Sequence, residues 1–263
     1  MKKEYKLVIA TPFYEVKAYS PYIASLLTSL KVLQELNIEY DYYELSGDSY
    51  VDRAKNTLVQ RFLKSEATHI MMIDSDLSWE VSGFIRILKA SMLGAEIVGG
   101  TYPNKNNWET FGVIPKKSED GFFLGLEKEG IRLLEMNGIP GGFLIYSRKA
   151  FERTMPNVAV SHEPIHDVDY YEFFKCSIER NDYRAKTLEQ YGEMSKDELI
   201  AELATVNKRG KGIKLGEDIY FQARYREMGG KVWLEPNVTF KHYGVKGWEG
   251  NYHEYLLGDD KHE

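Results

Sequence analysis

The sequence predicts an α/β fold: one domain built on a mainly parallel central sheet flanked by helices. Two patterns and one motif point there. Short, nearly continuous apolar runs of strand type alternate with amphipathic helical stretches through roughly the first hundred residues. The links between those runs are long enough to hold crossover helices. The acidic triplet Asp74-Ser75-Asp76 follows one of the runs directly, at the carboxyl end where open α/β sheets bind ligands. At 263 residues the chain can bury a substantial core within a single domain.

Residues 5–11 (YKLVIAT) read as the first strand. Ser20-Pro21 has the form of an N-cap followed by proline at the first helical position, and Ile23, Leu26, Leu27, Leu30 and Leu33 give the helix one apolar face. Residues 38–45 read as the second strand. Ser49 and Asp52 resemble a capping box, with Val51, Ala54, Leu58 and Phe62 as the buried stripe of the next helix. Residues 69–73 (HIMMI) form a third strand ending at the triplet. A helix follows with Phe84, Ile87, Leu88 and Met92 inward and Gly94 at its C-terminal cap, and residues 97–100 close this half as a fourth strand. Such alternation implies right-handed crossovers. Further on, residues 141–146 (GGFLIY) read as a strand, Ser147 caps a short helix, and late strands lie near residues 231–234 and 238–241. Residues 178–214 are charged and polar, with a helix near residues 195–206 that Ser195 and Glu198 open as a capping box.

Composition narrows the function classes. Hydrophobic residues at 43% and charged residues at 28% argue against long disorder. An aromatic share of 13%, with 19 tyrosines, suits stacking on bases and sugars as well as filling a core. No run approaches the roughly 18 apolar residues of a membrane span, and MKKEYKLVIATPFY leads straight into a strand, so a soluble cytoplasmic protein is expected. The single cysteine, Cys176, rules out an intramolecular disulfide and a cysteine-based zinc site. A net charge of −6 gives no general attraction to nucleic acid but leaves room for a local basic patch.

Three elements carry chemistry. Asp74 and Asp76, one residue apart at a strand end, supply the oxygen ligands that a hard divalent cation bridging phosphates requires. Gly216-Glu217-Asp218 opens an amphipathic helix, GEDIYFQARYREMGG, where acidic residues also suit the helix dipole. A last strand ends in His242, and neutral imidazole is a common metal ligand.

The order of these elements (strand and D-x-D, a glycine-rich strand, E-D on a helix, G-G, then H-x-G) resembles the GT-A glycosyltransferases, which have a Rossmann-like domain. It is closest to their small single-domain branch with mannan-polymerase-like and phage-encoded enzymes. The resemblance runs over residues 6–248, with residues 179–214 as an insertion. It implies a domain over residues 1–245 and a tail over residues 246–263 that closes over the donor.

The resemblance also implies roles. Asp76 ligates Mn²⁺ or Mg²⁺, Asp74 holds ribose or a metal-bound water, Ser75 lies between them, and His242 completes the metal shell. Asp218, with Glu217, faces the acceptor and supplies the base. Thr11, Pro12 and Phe13 lie where the nucleoside is held, and Asp52, Arg53 and Asn56 border the nucleotide. Gly99-Gly100 and Gly141-Gly142 let backbone approach the sugar, and Trp248 closes over it. The donor is a nucleotide sugar, with a UDP-sugar favoured, and the acceptor is a glycan or a hydroxymethylated DNA base. Lys208, Arg209, Lys211 and Lys214 form a basic run on the acceptor side, fit for a polyanion.

Two other readings compete. A nucleotidyltransferase of related fold would carry a glycine-rich basic signature after the first strand, where this chain has ATPFYEVKAYSP. A non-catalytic nucleotide-sugar-binding module would need none of the acidic and histidine positions intact.

Overall fold

Both faces of the first strand, β1 (Lys6–Phe13), are buried, so helices must cover the sheet on each side. Leu7 and Ile9 share one core with Tyr22, Leu26 and Leu33 of α1 (Ser20–Glu35). Val8 and Ala10 share the other with Leu58, Val59 and Phe62 of α2 (Val51–Leu63). The computed structural model describes residues 5–105, 110–163, 168–179, 192–206, 213–244 and 247–258. β1 pairs in parallel with β2 (Glu39–Ser46) on one side and with β3 (His69–Ile73) on the other.

The remaining strands of the central sheet are β5 (Ile97–Gly99), β6 (Ile114–Pro115), β7 (Gly125–Lys128), β8 (Ile131–Gly138), β9 (Phe143–Ser147) and β14 (Val232–Leu234). The nine strands run in the order β2-β1-β3-β9-β5-β14-β8-β6, with β7 beside β8. Strands β2, β1, β3, β5 and β14 point the same way, so the sheet is mainly parallel as expected, and helices flank it. One difference bears on the site. The sequence places residues 97–100 as the next strand of the parallel set, whereas β9 inserts antiparallel between β3 and β5. Every residue of β9 is buried, so it needs a partner on each side, and its start lies beside the end of β3.

Helix stripes differ in detail. In α1 the buried face is Tyr22, Leu26, Ser29 and Leu33, while Ile23 and Leu27 are 40% and 61% exposed. Polar bonds turn the helix this way: Tyr22 Oη bonds Thr11 at 2.5 Å, and Ser29 Oγ accepts from Trp79 Nε1 at 2.9 Å. The capping box expected at Ser49 and Asp52 is not made. Asp48 instead accepts from the Tyr50 amide and grips Arg53 with two bonds of 2.8 Å. In α2 the buried set also takes in Lys55 and Asn56, and Val51 is exposed.

A short strand, β4 (Leu77–Trp79), intervenes between the acidic triplet and α3 (Val81–Met92). Phe84, Ile87 and Leu88 are buried as expected, Met92 is exposed, and Gly94 ends the helix with φ +104°. β4 joins β15 (Thr239–Tyr243) and β16 (Gly247–Asn251) in a three-stranded sheet. After β16, α7 (Tyr252–Gly258) buries Tyr252 against Phe111, so residues expected as a tail form a strand and a helix packed on the body.

Two small antiparallel pairs lie outside these sheets. β10 (Val160–Glu163) pairs with β11 (Val168–Tyr171), which rests beside α2, where the Gln60 side chain donates to the Asp169 carbonyl. The ends of the charged segment also meet: β12 (Ser177–Glu179) pairs with β13 (Ile213–Leu215). Within that segment, Ser195 and Glu198 form the expected capping box ahead of α5 (Lys196–Val206). Among the described residues no helix is long and apolar enough to cross a membrane.

Ser147 caps α4 (Arg148–Thr154) through the Ala150 amide, and the next residue fastens the far end of α2. The Arg148 guanidinium donates to the carbonyls of Phe62, Leu63, Ser65 and Ala67 over 2.7–3.0 Å, satisfying groups that a helix end leaves without partners. Arg148→Met is expected to cost about 2 kcal/mol, the range for hydrogen bonds from a charged donor. Urea unfolding measures it; an unchanged midpoint would remove Arg148 from the support of α2.

Candidate active site

The acidic triplet stands at the carboxyl end of β3, and backbone pairing brings the other groups to it. The Asp74 amide donates to the Gly142 carbonyl at 2.9 Å, so the start of β9 lies alongside. The Tyr243 amide donates to the Asp76 carbonyl at 2.8 Å, and in the β4–β15 register His242 stands opposite Leu77. Two segments far apart in sequence thereby place His242 beside Asp76.

His242 Nδ1 lies 2.9 Å from the Pro103 carbonyl. A carbonyl only accepts, so Nδ1 carries the proton and a neutral ring presents a lone pair at Nε2. That nitrogen is 3.8 Å from Asp76 Oδ1, too far for a hydrogen bond, and among the described residues the buried Oδ1 has no hydrogen-bond partner. The other oxygen, Oδ2, pairs with Lys105. Burial acts to raise the Asp76 carboxyl, but His242, in its protonated form, and Lys105 outweigh it and hold it below the ordinary aspartate range.

The second half of the site is built on a lysine that sequence reasoning missed. Lys55, on α2, is 2% exposed, and its Nζ bonds Glu217 Oε1 at 2.9 Å. Glu217 and Asp218 begin α6 (Glu217–Glu227), as expected, with Gly216 at the N-cap. Asp218 Oδ2 accepts from the Gly141 amide at 2.6 Å and Oδ1 from the Ile219 amide at 2.7 Å. Burial would lower the Lys55 ammonium, but Asp74, Glu217 and Asp218 outweigh it and keep it charged. Burial raises Asp74 and Asp218 above the ordinary range against the pull of Lys55, whereas in Glu217 the contact with Lys55 overcomes burial and lowers it. The crevice thus holds carboxyls of two kinds.

Gly141 and Gly142 are fixed by this crowding. A Cβ on Gly141 would lie 2.8 Å from Asp218 Cβ and 2.9 Å from Lys55 Nζ, and one on Gly142 2.3 Å from Tyr102 Oη and 2.5 Å from Asp74 Oδ2. Both positions therefore admit only glycine beside these side chains. The Tyr102 hydroxyl accepts from the Gly142 amide at 3.0 Å, and the ring packs edge-on with His242.

The other expected residues take varied positions. Thr11 is fully buried on Tyr22 and Phe13 faces the core, which leaves Pro12 as the partly exposed member of that trio. Asn56 is buried, its amide pairing both ways with the backbone of Phe174, and Arg53 is occupied by Asp48. Asp52 is partly exposed and accepts from the Arg53 amide. Gly99 packs under Leu144 and Gly100 under the Phe240 ring, so both serve core packing. Ser75 is half-buried within the triplet, and Trp248 stands opposite His242 in the β15–β16 register. Lys214 is exposed on β13; Lys208, Arg209 and Lys211 lie outside the described residues.

Tyr102 and Lys105 join Lys55 among the members that sequence reasoning missed. A lysine within the apolar stripe of α2 was the available signal for Lys55; no local pattern marks the other two. A cavity of about 810 Å³, lined by His69, Ser91 and Arg148 among others, lies at the opposite end of β3 and holds none of these carboxylates.

No family model matches the chain, and no curated protein matches it. Among solved structures it is similar to A197 from STIV, at 17% identity and a TM-score of 0.48 over 91% of this chain and 86% of that one. It is also similar to GalNAc-T7 with UDP, GalNAc and Mn²⁺, at 11% identity and a TM-score of 0.47 over 98% of this chain and 48% of that one. A third is a glycosyltransferase involved in glycosylation of the major capsid of PBCV-1, at 11% identity and a TM-score of 0.31 over 56% of this chain and 62% of that one.

Replacing Lys55 tests the electrostatics. Without its ammonium the folded-state pKa values of Asp74, Glu217 and Asp218 rise, so the loss of stability is full above those raised values and shrinks as pH falls and the carboxyls protonate. Lys55→Met is expected to be about 3 kcal/mol less stable than the parent at pH 8, as when one partner of a buried ion pair is removed. At pH 5 the difference should be smaller. Urea unfolding at both pH values checks this, and a deficit independent of pH would contradict it.

Proposed function

We propose that the protein is a metal-dependent glycosyltransferase that moves a sugar from a nucleotide-sugar donor, a UDP-sugar by preference, to an acceptor hydroxyl. The observation that carries this reading is the approach of His242 Nε2 to Asp76 Oδ1, 3.8 Å apart and beside Asp74 and Asp218, with Oδ1 buried and without a hydrogen-bond partner among the described residues. With the ring neutral, both atoms are acceptors, and a cation between them satisfies both. The gap spans roughly two metal–ligand bonds of about 2 Å.

Among the described residues no group of three or more His, Cys, Asp and Glu side chains can enclose an ion. An Mg²⁺ or Mn²⁺ here would therefore need the oxygens of a bound diphosphate beside one carboxylate and one imidazole, as Mg²⁺ is commonly shared with substrate phosphates. When bound there, such an ion neutralises charge growing on the departing diphosphate.

The chain's own groups supply the rest. In the transfer, the acceptor oxygen forms a bond to the anomeric carbon as the bond from that carbon to the diphosphate oxygen breaks with its electron pair. Asp218 takes the acceptor proton: burial lifts its proton affinity, and the Gly141 and Ile219 amides fix its orientation. Attack assisted from that side inverts the anomeric centre. Lys55 and Glu217 hold Asp218 in place, and Asp74 lies where ribose or a metal-bound water would be met. The acceptor class is a glycan or a hydroxymethylated base in DNA, with the exposed Lys214 three positions before Glu217 on the approach.

Two substitutions separate binding from chemistry. Asp76→Asn should abolish most Mn²⁺-dependent UDP binding, read by titration calorimetry, while thermal unfolding shows the fold retained. Asp218→Asn should bind UDP with Mn²⁺ as the parent does yet lose turnover, measured as transfer or as UDP-sugar hydrolysis, by about 10²-fold or more. Metal-dependent UDP binding unaffected by Asp76→Asn, or near-normal turnover in Asp218→Asn, would remove the residue concerned from its role.

A further inference from the structure

The segment that follows β5 reaches every part of the metal half of the site within four residues. Tyr102 Oη meets the Gly142 amide, the Pro103 carbonyl fixes the His242 tautomer, and Lys105 Nζ pairs with Asp76 Oδ2. The two lysines of the site are held in different ways. The side chain of Lys55 is 3% exposed, bonds Glu217 and feels the charges of Asp74 and Asp218, whereas that of Lys105 is 36% exposed and, among the described residues, pairs with one oxygen of Asp76. A partly exposed ion pair contributes at most about 1 kcal/mol, because water solvates both partners once they separate. Lys105 can therefore leave Asp76 at little cost.

Asp76 has reason to keep a cation at all times. Asp74 stands two positions away, and the charge of Asp218 lies in the same crevice. An ammonium on Oδ2 stabilises the carboxylate while Oδ1 stays free and aimed at His242. A divalent ion gathering hard oxygen ligands brings two charges to a place where the ammonium brings one.

We propose that Lys105 is an exchangeable internal cation of this site: it holds Asp76 until a divalent ion and a nucleoside diphosphate bind, then releases the carboxylate and pairs with the diphosphate. The proposal rests on the metal-dependent reading above and deepens it. A single movement has two effects. Lys105 opposes binding of the free metal, because the carboxylate must first be vacated. It favours binding of the metal with a diphosphate, because the released ammonium then finds a new anion. The site is thereby biased against holding a bare ion and towards taking ion and nucleotide together.

The test compares the parent, Lys105→Met and Asp76→Asn for Mn²⁺ affinity, read from the electron paramagnetic resonance signal of free Mn²⁺ with and without UDP. With the Lys105–Asp76 pair worth about 1 kcal/mol, the carboxylate is vacated roughly one-sixth of the time, so Lys105→Met binds Mn²⁺ alone about sixfold more tightly than the parent, since apparent affinity scales with the fraction of competent site. In the presence of UDP the advantage disappears or reverses, and Asp76→Asn loses the site in both conditions. Removal of any nearby positive charge would also tighten Mn²⁺ binding, so a second measurement is needed. Reductive methylation of the parent, followed by mass spectrometry, should show Lys105 more reactive when Mn²⁺ is added and protected again with Mn²⁺ and UDP together.

Equal Mn²⁺ affinity in parent and Lys105→Met, with Asp76→Asn deficient, would overturn the exchange and leave the metal-dependent reading standing. So would tighter binding without any change in Lys105 labelling. Absence of Mn²⁺ binding in the parent and in Lys105→Met alike, with and without UDP, would overturn both.

Discussion

The buried ammonium of Lys55 is what allows the site to exist. Asp74, Glu217 and Asp218 approach one another in a crevice where each charge is poorly solvated, and two like charges about 4 Å apart there repel by roughly 4 kcal/mol. A cation among the three carboxylates sets attraction of similar size against that repulsion. It comes from α2, whose far end is clamped by Arg148 and whose inner face is locked by Leu58, Val59 and Phe62. The helix is accordingly a rigid mount for one charge, and α6 and β9 are fitted around that charge.

Much of the architecture was legible because it depends on local pattern. Alternating apolar runs and amphipathic stretches gave the strands and helices of the first half, and Ser147, Gly94 and the Ser195–Glu198 pair acted as caps where expected. The triplet, the Glu217-Asp218 pair and His242 were visible because acidic groups and imidazole at the ends of elements are chemically conspicuous. Their meeting in one crevice depends on β4 pairing with β15, and a three-residue strand is too short to announce itself.

What was not legible is mostly non-local. Whether Leu27 or Ser29 faces inward depends on Trp79 seeking an acceptor, and whether Asn56 meets ligand or backbone depends on Phe174, more than a hundred positions away. The antiparallel insertion of β9 could not be read from its own residues, since a fully apolar strand suits either direction. At Gly141 and Gly142 the crowding comes from Lys55, Asp74, Tyr102 and Asp218, which lie far away in sequence. Lysine in an apolar stripe reads as a surface residue until its anions are located.

The pairing of β12 with β13 has an evolutionary corollary. Ser177 stands opposite Leu215 and Glu179 opposite Ile213, so the intervening chain begins and ends at adjacent positions, a single gate. Closing a longer loop at such a gate costs little, about 0.6 kcal/mol for each doubling of its length. This stretch can therefore grow, shrink or be traded wholesale between lineages while β3, β9 and α6 stay in register. A change of length there would leave the acidic crevice where it is, with the β12–β13 pair as its fixed border.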